Sequence, residues 1–352
     1  MTKPYEYVKV RNDSWNDPVN PNDDRMPRKR FFKRRKGLQL GIYSQFLILF
    51  ALIGTGYICK KNRLISNNMN EDLGNLVLFV SMPALIVHSM STFKFSKEMM
   101  YDIVSMLGIS IGLYIFYILM SIIVPRVLGL QDKERDIVEF ATIFANTGFM
   151  GFPICYIFFG SEGLLYIVII NMFYDVFAWT YGVSILGRHS LRDSQRDRRF
   201  SLAHMKGIVN PNIIAVLLGF ALIVTAAKMP GPVLGYLDML GKIATPLAMI
   251  FVGSMLADLK FAHIFTNKII VAESLIKLVA LPLMVFGLCW AIGLSGMLLS
   301  IPVLATAMPA AASTPILAEK YGNDRYFASK IVFVNTLLSI VTIPLIVSIL
   351  SL

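Results

Sequence analysis

Two short runs in this sequence hold the residue types that open a helix and bind a small charged molecule. The first is Asn146-Thr147-Gly148-Phe149-Met150-Gly151-Phe152-Pro153, and the second is Ala305-Thr306-Ala307-Met308-Pro309-Ala310-Ala311-Ala312-Ser313-Thr314-Pro315. Proline has no N–H and crowds the carbonyl four residues before it. Pro153 should therefore free the carbonyl of Phe149, Pro309 that of Ala305, and Pro315 that of Ala311. Gly148 and Gly151 weaken the helix further and leave the main chain accessible. Asn146, Thr147, Ser313 and Thr314 place side-chain hydrogen-bonding groups beside the opened backbone. A helix restarted after such a break points partly positive amides into the gap, an arrangement that suits an anion.

The elements that must position these runs are apolar. The chain is 56% hydrophobic and only 16% charged, whereas soluble domains carry about 25% charged residues. The charges crowd into short segments between long uncharged ones. A hydrocarbon core about 30 Å thick is crossed by about 20 apolar residues in a helix. Such stretches recur near 38–59, 72–91, 101–124, 137–159, 163–187, 208–227, 233–256, 268–294, 297–319 and 327–352. The sequence thus predicts an all-α, polytopic membrane protein with ten transmembrane helices. A basic tail, 1–37, expected to be disordered, precedes them, and a polar loop, 188–207, divides them into 38–187 and 208–352.

The two divisions repeat one another. Met82-Pro83 parallels Thr245-Pro246, Gly160 parallels Gly322, and Ile167-Val168-Ile169-Ile170-Asn171 parallels Ile331-Val332-Phe333-Val334-Asn335, in the same order and at nearly one offset. The parallel places Asn171 and Asn335 among the candidate binding residues. Five spans are an odd number, so the second half enters the membrane opposite to the first, giving two inverted five-helix repeats. A single Gly/Pro interruption reads as an ordinary kink, since both residues are common in membrane helices. Interruptions at matching places in both halves, the fourth and ninth helices, point instead to a binding site.

The residues resemble a known family at this point. Asn146 through Pro153 looks like the fourth-helix motif of the auxin efflux carrier family. Asn210-Pro211-Asn212-Ile213-Ile214-Ala215 resembles the start of its sixth helix, and Thr245-Pro246-Leu247-Ala248 through Gly253-Ser254-Met255-Leu256 its seventh. Met308-Pro309-Ala310-Ala311 with Leu317-Ala318-Glu319-Lys320-Tyr321-Gly322 resembles its ninth. The similarity covers 38–352 and points to a bacterial, malate-permease-like member related to the plant auxin exporters. It implies broken crossover helices four and nine, with Asn146 and Pro153 at the first crossing and Pro309 at the second. It also implies a scaffold of helices one, two, six and seven, through which a homodimer would form, and a mobile transport domain. The implied substrate is a small organic anion, a carboxylate such as malate or an auxin-like acid. One departure stands out: the second proline of the plant motif would fall on Thr314, and Pro315 sits one place later.

Ionisable residues at membrane depth mark function by default. Asp175 lies four residues after Asn171, on the same helix face, and reads either as a proton-carrying carboxylate or as a static hydrogen-bonded one. Glu273 and Lys277 are spaced for an intrahelical pair; the alternative is that Lys277 meets Asp175 or the substrate. Glu139 is expected to open the fourth helix. Cys59, Cys155 and Cys289 form no metal-binding or redox pattern, and no metal or cofactor is expected. The net charge of +11 flanks apolar segments, as it does beside a bilayer, and implies no nucleic acid. Basic residues crowd alternate loops, which puts the 188–207 loop in the cytoplasm; the same rule would hold the basic tail there too, and ten full spans cannot satisfy both. An intramembrane protease would need a Ser–His pair or two aspartates at depth, and a receptor would not need matched broken helices. The expected function is secondary transport across the cell membrane by alternating access of an elevator type. The competing reading is a sodium- or proton-coupled symporter of another solute on a related inverted fold.

Overall fold

The computed structural model of the protein describes residues 28–93, 97–188, 211–225, 227–257 and 267–350, with side chains from Ser44 onward. Residues 1–27 of the expected tail and nearly all of the 188–207 loop lie outside them. The chain divides into a unit Met1–Ile42 and a unit Tyr43–Leu352. Of the first, helical backbone from Arg28 is described, so the opening helix begins within the segment expected to be disordered tail. Lysine and arginine are good helix formers, and nothing in the run from 28 to 37 stops a helix.

The described residues are helical apart from turns and one isolated bridge. Helix α1 is Arg28–Lys61, α2 Asn67–Leu76, α3 Met82–Ser91, α4 Lys97–Val127, α5 Asp132–Ile143, α6 Phe152–Phe177 and α7 Val183–Leu186. There follow α8 Pro211–Thr225, α9 Gly231–Ala257, α10 Lys268–Leu275, α11 Leu281–Ala291, α12 Gly296–Ala307, α13 Thr314–Lys320 and α14 Arg325–Leu350. Among them six stretches are long and apolar enough to cross a membrane: Asn68–Ser91, Met99–Val127, Thr147–Leu186, Gly231–Ala257, Lys268–Ala291 and Arg325–Leu350. Helices dominate because a chain in hydrocarbon must satisfy its own backbone groups. The outer faces suit lipid. Along α4, Tyr101, Val104, Leu107, Ile111, Ile115, Leu119 and Ile123 are all exposed, and their spacing of three to four makes one continuous apolar stripe.

Four five-residue π-turns, Val77–Ser81, Thr147–Gly151, Ala178–Gly182 and Ile276–Ala280, interrupt these helices. Three of them run directly into a residue followed by proline: Met82-Pro83, Phe152-Pro153 and Leu281-Pro282. In each, the residue before proline donates five residues back, Met82 to Val77, Phe152 to Thr147 and Leu281 to Ile276. A proline cannot donate to the carbonyl four residues earlier, and widening the preceding turn accommodates the missing bond. Pro125, Pro246, Pro302 and Pro344 sit inside α-helices, so proline permits the widening without dictating it.

Helix α6 is kinked at Gly160, where φ is 65° and ψ is −153°. Gly322, before α14, has φ 76°. Helices α1 and α9 meet backbone to backbone. A Cβ on Gly56 would lie 2.0 Å from the Ile250 carbonyl oxygen, and one on Gly253 1.8 Å from that of Ile53. Only glycine allows this approach, the packing that small residues provide in membranes where no hydrophobic force draws helices together.

Candidate functional site

The two runs that opened the sequence reading meet. The helical path stops after Ile143 and resumes at Thr147; it stops again after Ala307 and resumes at Thr314. Ala145 and Ala310 face each other as an antiparallel bridge. The Asn146 N–H donates to the Pro309 carbonyl at 2.7 Å, and the Ala311 N–H donates to the Phe144 carbonyl at 2.9 Å. Two broken helices thus satisfy each other's main chain, as buried backbone must.

The break in the first run lies before the Gly/Pro stretch, not at it. Residues 144–146 are unwound, with Phe144 extended at φ −98° and ψ 98°. Thr147–Gly151 forms a π-turn, and Pro153 sits harmlessly in the first turn of α6, where a missing N–H costs nothing. In the second run Met308 is extended and Pro309 lies within the break, whereas Pro315 again falls in a first helical turn. The Ala311 carbonyl, expected to be free, accepts from the Thr314 N–H at 3.0 Å and from its hydroxyl at 2.6 Å.

Asn146 caps the π-turn with its backbone: its carbonyl accepts from Met150 and Gly151 at 3.2 and 3.1 Å. The residue is 4% exposed, and its side chain makes no capping hydrogen bond to the turn. The neighbouring Gly148 opens onto space, for a Cβ there would meet nothing within 4 Å. Gly151 is packed, and its Cβ would touch Thr147, Ile167 and Met308 at 3.4–3.6 Å. Phe149 stacks on Phe251 of α9 with ring centroids 4.5 Å apart.

Each break is held from behind by an asparagine. The Thr147 hydroxyl donates to Asn171 Oδ1 at 2.5 Å, and Asn171 Nδ2 donates to Asp175 Oδ2 at 3.4 Å. On the other side, the Ala310 N–H donates to Asn335 Oδ1 at 3.3 Å. Asn335 Nδ2 donates to Glu273 Oε2 at 2.8 Å and to Ser274 Oγ at 2.9 Å. Ser313 lies 3.4 Å from the Tyr174 hydroxyl. The Thr314 hydroxyl is consumed by Ala311, which leaves Ser313 as the side-chain donor at that end.

The structure corrects two placements of charge. Lys277 does not pair with Glu273 within 4.0 Å, nor does it meet Asp175; its ammonium donates to the Thr142 carbonyl at 2.8 Å and lies 5.7 Å from the centre of the Tyr117 ring. The π-turn Ile276–Ala280 begins between Glu273 and Lys277 and turns them out of α-helical register. Glu139 does not open a helix, because α5 starts at Asp132. It lies buried two turns in, held by Arg135 at 2.7 Å and Arg188 at 2.8 Å, and Arg188 also reaches Asp136 at 3.1 Å. Glu273 and the Thr142 carbonyl were missed as parts of the constellation. Their only signal was an unexplained charge inside an apolar segment.

Crossed, hydrogen-bonded breaks inside an apolar helical body define a multi-pass membrane protein of the transporter class, set in the cell membrane. Residues 42–347 match the membrane transport protein family, and the chain belongs to this auxin efflux carrier family. It is 27% identical to an uncharacterized transporter of Methanothermobacter thermautotrophicus, over 87% of this chain and 97% of that protein. It is 25% identical to an uncharacterized transporter of Methanocaldococcus jannaschii, over 85% of this chain and 96% of the relative. The protein is accordingly a transport protein and not an enzyme.

Proposed function

We propose that the protein is a secondary active transporter that binds a small organic anion at the crossing of the two broken helices. The observation that carries this reading is the crossing itself: Asn146 and Ala311 pair main chain to main chain with Pro309 and Phe144, and the Asn146 side chain, which makes no capping bond, stands beside the open face of Gly148. A carboxamide beside opened backbone offers both a donor and an acceptor to a ligand. The amides that start the Thr147–Gly151 turn supply the positive end of a helix dipole to a carboxylate. Ser313 supplies a hydroxyl from the other half. Ten spans in two inverted repeats and alternating access of an elevator type belong to the same reading. The close contact of α1 with α9 through Gly56 and Gly253 supports a rigid scaffold against which the crossing moves.

The test is binding of malate and of indole-3-acetate to the purified full chain, by calorimetry or thermal shift. Asn146→Ala removes the carboxamide without touching the bridge, which is main chain. A lost hydrogen bond to a charged ligand is worth about 1.5–3 kcal/mol, or about a 10- to 150-fold weaker Kd. Unchanged affinity in a folded Asn146→Ala protein would place the anion elsewhere.

A further inference from the structure

Glu273, behind the second break, is a carboxylate whose surroundings do not suit a negative charge. It is 1% exposed. Its Oε2 accepts from Asn335 at 2.8 Å and from Ser274 at 3.5 Å, while its Oε1 is buried without any hydrogen-bond partner. An ionised carboxylate seeks donors on both oxygens, and a bare ionised oxygen inside a span is among the costliest groups a membrane protein can hold. A proton on Oε1 removes the charge and leaves the Oε2 bonds in place. The nearby cation makes no close ion pair with it, since Lys277 gives its hydrogen bond to the Thr142 carbonyl.

We infer that Glu273 is a proton-carrying site, protonated in this conformation, that couples proton movement to both broken helices at once. The inference rests on reading the crossing as the transport site. One link runs from Glu273 through Asn335 to the Ala310 N–H in the second break. The other runs from Lys277 to the Thr142 carbonyl, two residues before Phe144, where the first break begins. When Glu273 releases its proton to the aqueous side, it becomes an anion whose charged neighbour is Lys277. The ammonium then leaves Thr142 for the carboxylate, and one bond behind each break changes together. Re-protonation from the other side restores the arrangement seen here. The remaining groups around the pair are few. Tyr117 of α4 lies over Lys277 and shares a 2.8 Å hydrogen bond with Thr306 of α12. From α14 comes the neutral Asn335, and the acids of α5, Asp136 and Glu139, are taken by Arg135 and Arg188.

The test is pH-difference infrared spectroscopy on the full chain reconstituted in lipid. A carboxylic C=O band is expected at neutral pH, lost on alkalinisation, shifted by 13C-glutamate labelling, absent from Glu273→Gln and retained in Asp175→Asn. The label decides the matter on unaltered protein if Glu273→Gln does not fold, because the other buried glutamate among the described residues, Glu139, is held by two arginines. No band, or a band unmoved by the label, overturns the assignment. In proteoliposomes, accumulation of labelled malate driven by a proton gradient should fall at least tenfold in Glu273→Gln while counterflow exchange persists. Full gradient-driven accumulation in that variant, or accumulation driven by sodium at clamped pH, overturns the coupling. If the unaltered protein moves no malate, the substrate reading fails while the infrared result still judges Glu273.

Discussion

The two sides of the crossing do the same job with different reserves. On the first, Asn171 holds Thr147 through a hydroxyl and leans on Asp175 of its own helix at 3.4 Å. On the second, Asn335 holds a main-chain amide and leans on Glu273 and Ser274 of another helix, at 2.8 and 2.9 Å. Asn335 is wholly buried, and Asn171 and Asp175 are each 7% exposed. The second side therefore ties three elements together and has no slack. The first rests on one hydroxyl bond and a longer carboxamide–carboxylate bond. Asymmetry of this kind gives the second side the larger share of the structural load.

The contrast can be broken most directly at Asn335. Asn335→Ala strands the Ala310 amide, Glu273 and Ser274 in a buried network, and should cost about 3–5 kcal/mol of stability, at about 1–3 kcal/mol per stranded buried group with some relaxation. Thermal or denaturant unfolding in detergent would show it, and a loss no larger than that of Asn171→Ala would erase the distinction. Asn171→Ala strands a hydroxyl and loosens Asp175, for about 1–3 kcal/mol. Thr147→Val removes one neutral hydrogen bond with little change of shape, and should cost about 0.5–1.5 kcal/mol. That last variant sharpens the comparison: its effect on anion affinity should be far smaller than that of Asn146→Ala, since Thr147 already spends its hydroxyl on Asn171.

Much of this arrangement was legible before any coordinates. Apolar runs bounded by charge marked helices such as Gly231–Ala257 and Arg325–Leu350 to within a few residues, because a span must be long and uncharged, whereas α1 begins at Arg28, ten residues before its apolar run. The pair Asn146 and Pro309 was legible because asparagine and proline inside an apolar run have no plain reason to be there. The location of the first break was not: proline argues about the carbonyl four residues back, and the chain met that demand with a π-turn, moving the unwinding to 144–146. The fate of Lys277 was hidden for the same reason. Spacing of four means adjacency only in an α-helix, and the Ile276–Ala280 turn is not one. Asn171 and Asn335 were found by their repeat position, but their unequal partners depend on neighbouring helices that a linear pattern does not name. The glycine contact between α1 and α9 was missed as well, since Gly56 and Gly253 look no different from any other glycine in an apolar run.

The bridge between Ala145 and Ala310 has a mechanical meaning. Its two main-chain bonds act as a rivet through both broken helices. Levers joined by a rivet can be carried or pivoted together, but they cannot be drawn apart without shearing it. A displacement of one arm at this point is therefore handed directly to the other.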